Sequence, residues 1–305
     1  MVVFDRIRFL LKQPILIGGY VALRSAIYLA GNKYKLYDTI KPNLQDGKRE
    51  ILVDVFGGSG IMTLNTFHDK LFEGYIYNEK AKHLFELQRW IQGFSGEAVA
   101  GLDIINNYHY PNNKNEFLKL RMNFNDDIAG SLSYYPRLYN LMCRSNSNMM
   151  RFNSKGEYNM TFGERNCFNI DRIWKHHDNI QNVKLRNEDF GDLLEEYLEL
   201  EDLSEYTFYL DPPYFATTAT YNENGGWTQN DNTTLLEYCL ELQNKGAKVV
   251  ISNVFKNRGN THQELVDWCE ENKETFTVHH LNISYNNSSF RKGKGKTDEV
   301  LIVSK

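Results

Sequence analysis

Apolar residues along this chain follow two rhythms. Short runs of β-formers occur at "ILVDVF" (51–56), "GYIYNE" (74–79), "TFYLD" (207–211) and "AKVVISNV" (247–254). Such runs, apolar on both faces, are expected of strands covered on both sides of a parallel sheet. Between them lie stretches with a helical period. "IMTLNTFHDKLF" puts Ile61, Leu64, Phe67 and Leu71 on one face, and "AKHLFELQRWIQGF" (81–94) continues the alternation. "NTTLLEYCLELQNKG" aligns Leu235, Leu236, Cys239 and Leu240 and stops at Gly246, and "HQELVDWCEENK" follows. "TFTVHHLNISY" and "DEVLIVS" read as a closing strand pair. Near the start, residues 18–30 read as helical, and Gly31, Asn32 and Lys33 open another helix.

The rhythm breaks over residues 106–180, which are rich in Asn, Tyr, Met and Arg. The pattern predicts an α/β fold with one doubly wound sheet, split in sequence by a mostly helical insert. The expected division is a segment 1–27 without an assigned role, a main domain over 28–105 and 181–305, and an inserted domain over 106–180.

Two turns carry the candidate chemistry. After the first strand comes Asp54-Val55-Phe56-Gly57-Gly58-Ser59-Gly60. Glycines there let backbone N–H groups approach a ligand at the start of the next helix. The second strand ends in Glu79, twenty-two residues after Gly57. A carboxylate at that place suits the ribose hydroxyls of an adenosine-containing cofactor. These features alone do not separate a nicotinamide dinucleotide from S-adenosylmethionine.

The second turn is Asp211-Pro212-Pro213-Tyr214, closing an apolar strand. Strand tips in a doubly wound sheet face the ligand crevice. The prolines fix φ and leave carbonyls outside any ladder. Asp211 and the Pro212 carbonyl offer two acceptors and Tyr214 a flat face. Together they suit a planar group bearing an NH₂. The exocyclic amine of adenine is one, and acceptors on its hydrogens favour a pyramidal, charge-developing transition state.

With these motifs in view, the chain resembles the Dam-type (alpha-group) DNA adenine-N6 methyltransferases over residues 28–305. The matching pieces are "YLAGNK", "VDVFGGSG", "YNE", "NMMRFNSKGEYNMTFG", "LDPPY", "ISNV" and "KTDEVLIVS", in the family's order. The resemblance implies a Rossmann-like methyltransferase sheet carrying a DNA-recognition domain, with S-adenosylmethionine as methyl donor and double-stranded DNA as partner. It implies catalytic roles for Asp211, Pro212, Pro213 and Tyr214. Cofactor contacts are expected from Lys33, Asp54, Phe56, Gly57, Gly58, Gly60, Glu79 and Asp211, with Asp189 and Phe190 bordering the donor's adenine. Glu79 stands where the family more often has aspartate, which keeps the acceptor on a longer arm. GATC, or a site containing GAT, is the implied target, and a cognate restriction enzyme is a possible companion.

Charge adds one local feature. The 305 residues carry a formal net charge of −4, but residues 134–175 hold seven basic and three acidic residues. That patch suits phosphate contact. DNA contacts are expected from Asn146, Asn148, Met149, Arg151, Asn153, Lys155 and Arg165. Asn146, Asn148 and Arg151 are of the types that pair with purine edges, and Arg151 falls at the family's guanine-reading position. Met149, Met150, Tyr158 and Phe162 are candidates to wedge into the base stack. "FRKGKGK" (290–296) adds basic charge, whereas 187–205 holds nine acids and no base and reads as a face turned from DNA.

No metal site is expected, since the eight histidines lack ligand spacing. Four scattered cysteines predict a reduced, cytoplasmic protein. "PILIGGYVALRSAIYLAG", interrupted by Arg24, is too short for a membrane span. Oligomeric state is left open. Other readings remain: a catalytically silent DNA-binding protein of the same fold, methylation of cytosine N4, RNA adenine or a glutamine amide, and, more distantly, a nicotinamide oxidoreductase.

Overall fold

The computed structural model describes residues 22–29, 31–47, 49–95, 111–127, 131, 133–214, 226–257, 260–281 and 297–305. Residues 1–21 of the segment 1–27 and the whole of the basic stretch 290–296 lie outside these residues. Among the described residues eight strands form one sheet: β1 (Ile51–Asp54), β2 (Gly74–Asn78), β3 (Lys184–Arg186), β4 (Tyr206–Leu210), β5 (Lys248–Asn257), β6 (Asn260–Thr261), β7 (Phe276–Leu281) and β8 (Asp298–Ser304). Their order is β3-β2-β1-β4-β5-β8-β7, with β6 pairing β5 alone. The pairs from β3 to β5 are parallel, and β8 runs antiparallel between β5 and β7. The chain order reverses direction at β1, so the crevice beyond β1 and β4 is where such a sheet admits a ligand.

The apolar runs are buried on both faces because helices cover both. Leu52, Tyr77, Tyr209, Val250 and Leu301 pack into one cluster. Val53, Phe208, Val249, Ile251 and Ile302, their alternating neighbours, pack into the other. The first face carries α1 (Ile61–His68) and α2 (Lys82–Gln92). The second carries α6 (Phe190–Leu198), α7 (Gln229–Asn244) and α8 (Gln263–Glu271). Each fully buried Leu, Phe or Ile contributes roughly 1.5–3 kcal/mol.

The helix expected over 18–30 is absent from 22–29, which bends at Ala26–Ile27 without helical bonds. Tertiary partners take the groups a helix would use. Asn65 of α1 accepts from the Leu23 N–H at 2.5 Å and donates to the Leu23 carbonyl at 3.0 Å. The Ser25 hydroxyl donates to the Ser59 carbonyl at 2.5 Å. This strap explains why α1 is buried from Ile61 through Thr66 and not along one face only. Asn32 does open the next element, accepting from the Tyr34 N–H. That element is a 3₁₀ turn (Lys33–Leu36) running into one α-turn (Tyr37–Ile40).

Within 106–180 lie α3 (Lys114–Asn125), α4 (Tyr134–Arg144) and α5 (Ile170–Asp178). The stretch between α4 and α5 is an irregular hairpin, with bridges Ser145–Phe162 and Phe152–Tyr158 and a tip at Gly156 (φ +78°). Gly163 closes it where no side chain fits: a Cβ would lie 2.5 Å from the Ser145 carbonyl oxygen. The insert shares its core with the sheet. Phe117, Phe124, Leu138, Tyr139 and Ile173 belong to the same buried cluster as Leu52, Leu64 and Leu87. Rings reinforce the joint, with Trp90 of α2 against Tyr139 and His83 of α2 stacked on Phe152 at 3.6 Å. Among the described residues no helix is long and apolar enough to cross a membrane.

Candidate active site

β1 delivers Asp54 and then the glycine turn to the edge of the sheet. The Gly57 N–H donates to the Asn78 carbonyl at 2.8 Å, and the Gly60 N–H to the Gly57 carbonyl at 2.7 Å. Gly58 (φ +53°) and Gly60 (φ +73°) take left-handed conformations that glycine alone adopts freely. Gly57 is required by space, since a Cβ there would sit 2.2 Å from the Tyr77 ring. The Tyr77 hydroxyl in turn donates to the Gly58 carbonyl at 2.8 Å.

Glu79, from the tip of the neighbouring β2, folds back over this turn. One carboxylate oxygen accepts from the Gly58 N–H at 2.9 Å and the other from the Ala81 N–H at 2.7 Å. Burial raises its pKa, and those two backbone donors pull it back. A carboxylate has about four lone-pair sites, so each oxygen keeps one beyond these bonds. Asp54 is buried and accepts from the Thr63 hydroxyl at 2.7 Å. Burial pushes its pKa up to about 7, the Thr63 bonds lower it, and the charges of Asp211 and Glu79 raise it further. Acids at the ends of three adjacent strands thus lie near enough for the charges of Glu79 and Asp211 to act on Asp54.

β4 runs beside β1, with Asp54 opposite Tyr209, so Asp211 emerges two residues beyond that pair. Lys33 reaches it from the 3₁₀ turn. The ammonium donates to both carboxylate oxygens, at 2.7 and 2.8 Å, and to the Tyr214 hydroxyl at 2.5 Å. The Lys33 side chain is 5% exposed and that of Asp211 21%. Tyr214 also donates to Asp211 Oδ1 at 3.2 Å, and its ring centroid lies 5.0 Å from the ammonium. Pro212 is buried behind them and Pro213 half-buried. The Tyr214 hydroxyl is held neutral, burial first and Asp211 second raising its pKa.

Phe56 and Phe190 meet with ring centroids 5.7 Å apart. Asp189 caps α6, accepting from the Gly191 N–H at 2.9 Å and from Lys80 at 2.6 Å. Trp227, ahead of α7, completes this aromatic cluster at 5.6 Å from Phe56 and 5.2 Å from Phe190. The sequence reading passed over Trp227. Its signal was an aromatic residue directly before "TQND", whose Thr228 and Asp231 form the capping box of α7.

Behind the turn stands a second group that sequence missed. His176 of α5 is fully buried, and its Nδ1 accepts from the Ala26 N–H at 3.2 Å. The opposite nitrogen lies 3.1 Å from the Gln88 amide nitrogen, while the amide oxygen has no partner among the described residues; exchanging the two amide ends lets the oxygen accept from the ring N–H. Burial pushes the His176 pKa down to about 3, so the ring is neutral. It bonds the insert to the strap that holds Ser59.

The candidate DNA-facing residues separate into two sets. Asn146, Arg151, Lys155 and Arg165 are exposed on the hairpin and its approach, and Met149 is half-buried. Arg151 donates to the Asn159 side chain at 2.8 Å. Asn148 and Asn153 are engaged internally. Asn148 (φ +54°) donates to the Cys143 carbonyl at the end of α4, and Asn153 accepts from the Lys155 and Glu157 N–H groups at the tip. Tyr158, a proposed wedge, is buried. The basic patch is also smaller than its count. Arg144 is buried, donating to the Pro111, Asn112 and Glu164 carbonyls. Arg137 pairs with Asp127, and Arg172 bonds Tyr28. Arg151, Lys155, Arg165 and Lys175 remain on the surface.

A glycine turn beside an Asp-Pro-Pro-Tyr strand tip on this sheet is the arrangement expected of a methyltransferase site. The chain belongs to the D12 class N6 adenine-specific DNA methyltransferases, whose family pattern matches residues 29–285. It is similar to the type II methyltransferase M.FokI of Planomicrobium okeanokoites, 29% identical over 296 residues and 92% of this chain. The modification methylase StsI of Streptococcus sanguinis is 28% identical over 293 residues, again 92% of this chain. The modification methylase LlaI of Lactococcus lactis subsp. lactis is 30% identical over 229 residues, 72% of this chain. The matches span 42%, 42% and 35% of those relatives' own lengths, so this chain corresponds to less than half of each.

Proposed function

We propose that this chain transfers a methyl group from S-adenosylmethionine to the N6 amine of adenine in double-stranded DNA. The observation that carries the reading is the placement of Asp211, clamped by Lys33, on the strand next to the glycine turn. The donor, when bound, supplies an electrophilic methyl group. The residues present fit it: three of the turn's four positions, 57, 58 and 60, are glycine, Glu79 keeps acceptor capacity for ribose hydroxyls, and Phe56 and Phe190 offer apolar ring surface.

Asp211 and the Pro212 carbonyl receive the amine. Oδ1 already accepts from Lys33 and Tyr214, while among the described residues Oδ2 accepts from Lys33 alone. Oδ2 therefore has room for one amine hydrogen. Drawing both hydrogens out of the ring plane localises the nitrogen lone pair, which strengthens in the transition state. Tyr214, neutral and held by Lys33, presents its ring to the base. The amine is paired inside duplex DNA, so the adenine must leave the stack first.

Residues 106–180 serve as the DNA-reading part in this proposal. The exposed Arg151 on the hairpin reads a guanine edge, within GATC or another site containing GAT, as the family resemblance implies. Lys155 and Arg165 contact the backbone. The similarity to modification methylases supports pairing with a cognate restriction enzyme.

The test is transfer of label from S-adenosylmethionine to duplex DNA, followed by nucleoside digestion and long-read mapping. N6-methyladenine at a GAT-containing site is the expected product. N4-methylcytosine as sole product replaces the adenine reading, and no label on any adenine-containing duplex favours a silent DNA-binding protein.

A further inference from the structure

Trp227 carries an unexplained polar atom at the proposed donor site. Its indole Nε1 is buried and has no hydrogen-bond partner among the described residues. An indole N–H only donates, and a dry, unpaired donor is destabilising enough that each native case calls for a cause. The ring is not loosely placed. The next residue, Thr228, is locked by its capping box, with the Thr228 N–H donating to Asp231 at 2.7 Å and the Asp231 N–H to Thr228 at 3.2 Å. The indole packs on Phe56 from the glycine turn and on Phe190 from the start of α6. Three rings from three separate segments therefore meet beside Asp189, and one presents a donor that has no acceptor among the described residues.

We infer, resting on the reading that this pocket takes the adenosyl end of the donor, that Trp227 is its third wall. Its N–H donates to a ring nitrogen of the purine. The two phenyl rings offer only apolar surface, which accepts any flat heterocycle of the right size. A directed donor selects against heterocycles that lack an acceptor at that edge, because the N–H is then left unpaired. Trp227 is thus a specificity-determining residue for the cofactor, acting by direct contact.

The experiment is calorimetric titration of the full chain with S-adenosylhomocysteine, comparing wild type with Trp227→Phe. Phenylalanine keeps a ring against Phe56 and Phe190 and deletes the N–H. The expected loss is roughly 3- to 10-fold in affinity, the worth of one net hydrogen bond. Analogues in which purine N1, N3 or N7 is replaced by C–H then locate the acceptor. One of them weakens wild type by the same factor and leaves Trp227→Phe unchanged, closing a thermodynamic cycle. Indole emission of wild type shifts on titration, and that shift is missing in the variant. The analogue series on wild type alone keeps the test sharp should the variant fold poorly.

If wild type binds, the variant binds equally well and every analogue weakens both proteins alike, the assignment of Trp227 is overturned while the donor site stands. If wild type does not bind S-adenosylhomocysteine at all, the proposed function falls and this inference with it.

Discussion

Lys33 and Asp211 are 178 positions apart in the chain and 2.7 Å apart in space. The pair is nearly dry on the lysine side and partly open on the aspartate side. Removing one member of such a pair strands the other's charge. Lys33→Met is expected to cost about 1–3 kcal/mol of stability, discounted from a fully buried pair because Asp211 retains some solvent. Denaturant titration measures it. Asp211→Asn keeps the shape but turns an amide donor toward the incoming amine. Methyl transfer should then fall at least about 100-fold, read as labelled methyl groups on DNA, and the melting midpoint should fall as well, because the nearly dry Lys33 ammonium loses its counter-charge.

Gly57→Ala tests the turn. The added Cβ overlaps the Tyr77 ring at 2.2 Å, so either the ring or the turn must shift. A destabilisation of about 1–3 kcal/mol is expected, together with weaker S-adenosylhomocysteine binding. Wild-type affinity in Gly57→Ala would show that the turn does not shape the donor site.

Two arginines of the insert should behave in opposite ways. Arg144 ties three carbonyls together from a buried position. Arg144→Ala leaves those acceptors unpaired and should cost about 2–4 kcal/mol in thermal or denaturant unfolding. Arg151 is exposed, so Arg151→Ala should leave the melting midpoint in place and relax one base position by about 1–3 kcal/mol. An unchanged spectrum of methylated sites would remove Arg151 from the reading head.

Stability against pH separates two buried groups of opposite sign. His176 has a folded pKa of about 3 against an ordinary 6.5. The unfolded chain takes up its proton first, so this contribution is full above pH 6.5 and is lost as pH falls toward 3. Asp54 has a folded pKa of about 7 against 3.8. Here the folded chain holds the proton longer, so its contribution is full below pH 3.8 and is lost as pH rises through 7. Between about pH 4 and 6 each group changes unfolding free energy by about 1.4 kcal/mol per pH unit. The stability difference between wild type and His176→Asn should therefore shrink as the medium is acidified. That between wild type and Asp54→Asn should shift in favour of the variant as pH rises. Parallel urea titrations at several pH values decide both.

The central strands β1, β2, β4 and β5 and the closing pair β7–β8 were legible from their apolar runs and from the Gly and Asp-Pro-Pro turns that follow β1 and β4, whereas β3 and β6 are short, largely polar and were not legible. Residues 22–29 were misread as helix because apolar periodicity cannot see the Asn65 and His176 partners that hold them, more than 40 and 140 positions away. The insert was legible as basic and polar, but not as a hairpin, because its ladder is interrupted and its cross-strand contacts are few. Arg144 looked like surface charge, and only the fold supplies its three carbonyls. Trp227 lay outside every motif, and its meaning depends on two rings brought together by packing.

If residues 106–180 read DNA as proposed, the joint between insert and sheet bears on how target choice can change. Phe117, Leu138, Tyr139 and Ile173 interlock with the layer that supports the strands, and Phe152 lies flat on His83. A segment transplanted from a relative would arrive with side chains cut for a different seat, and the chimera would forfeit part of its scaffold along with its old preference. Under the proposed reading role of this hairpin, new specificities would therefore be more accessible through piecemeal change at its exposed rim than through wholesale exchange.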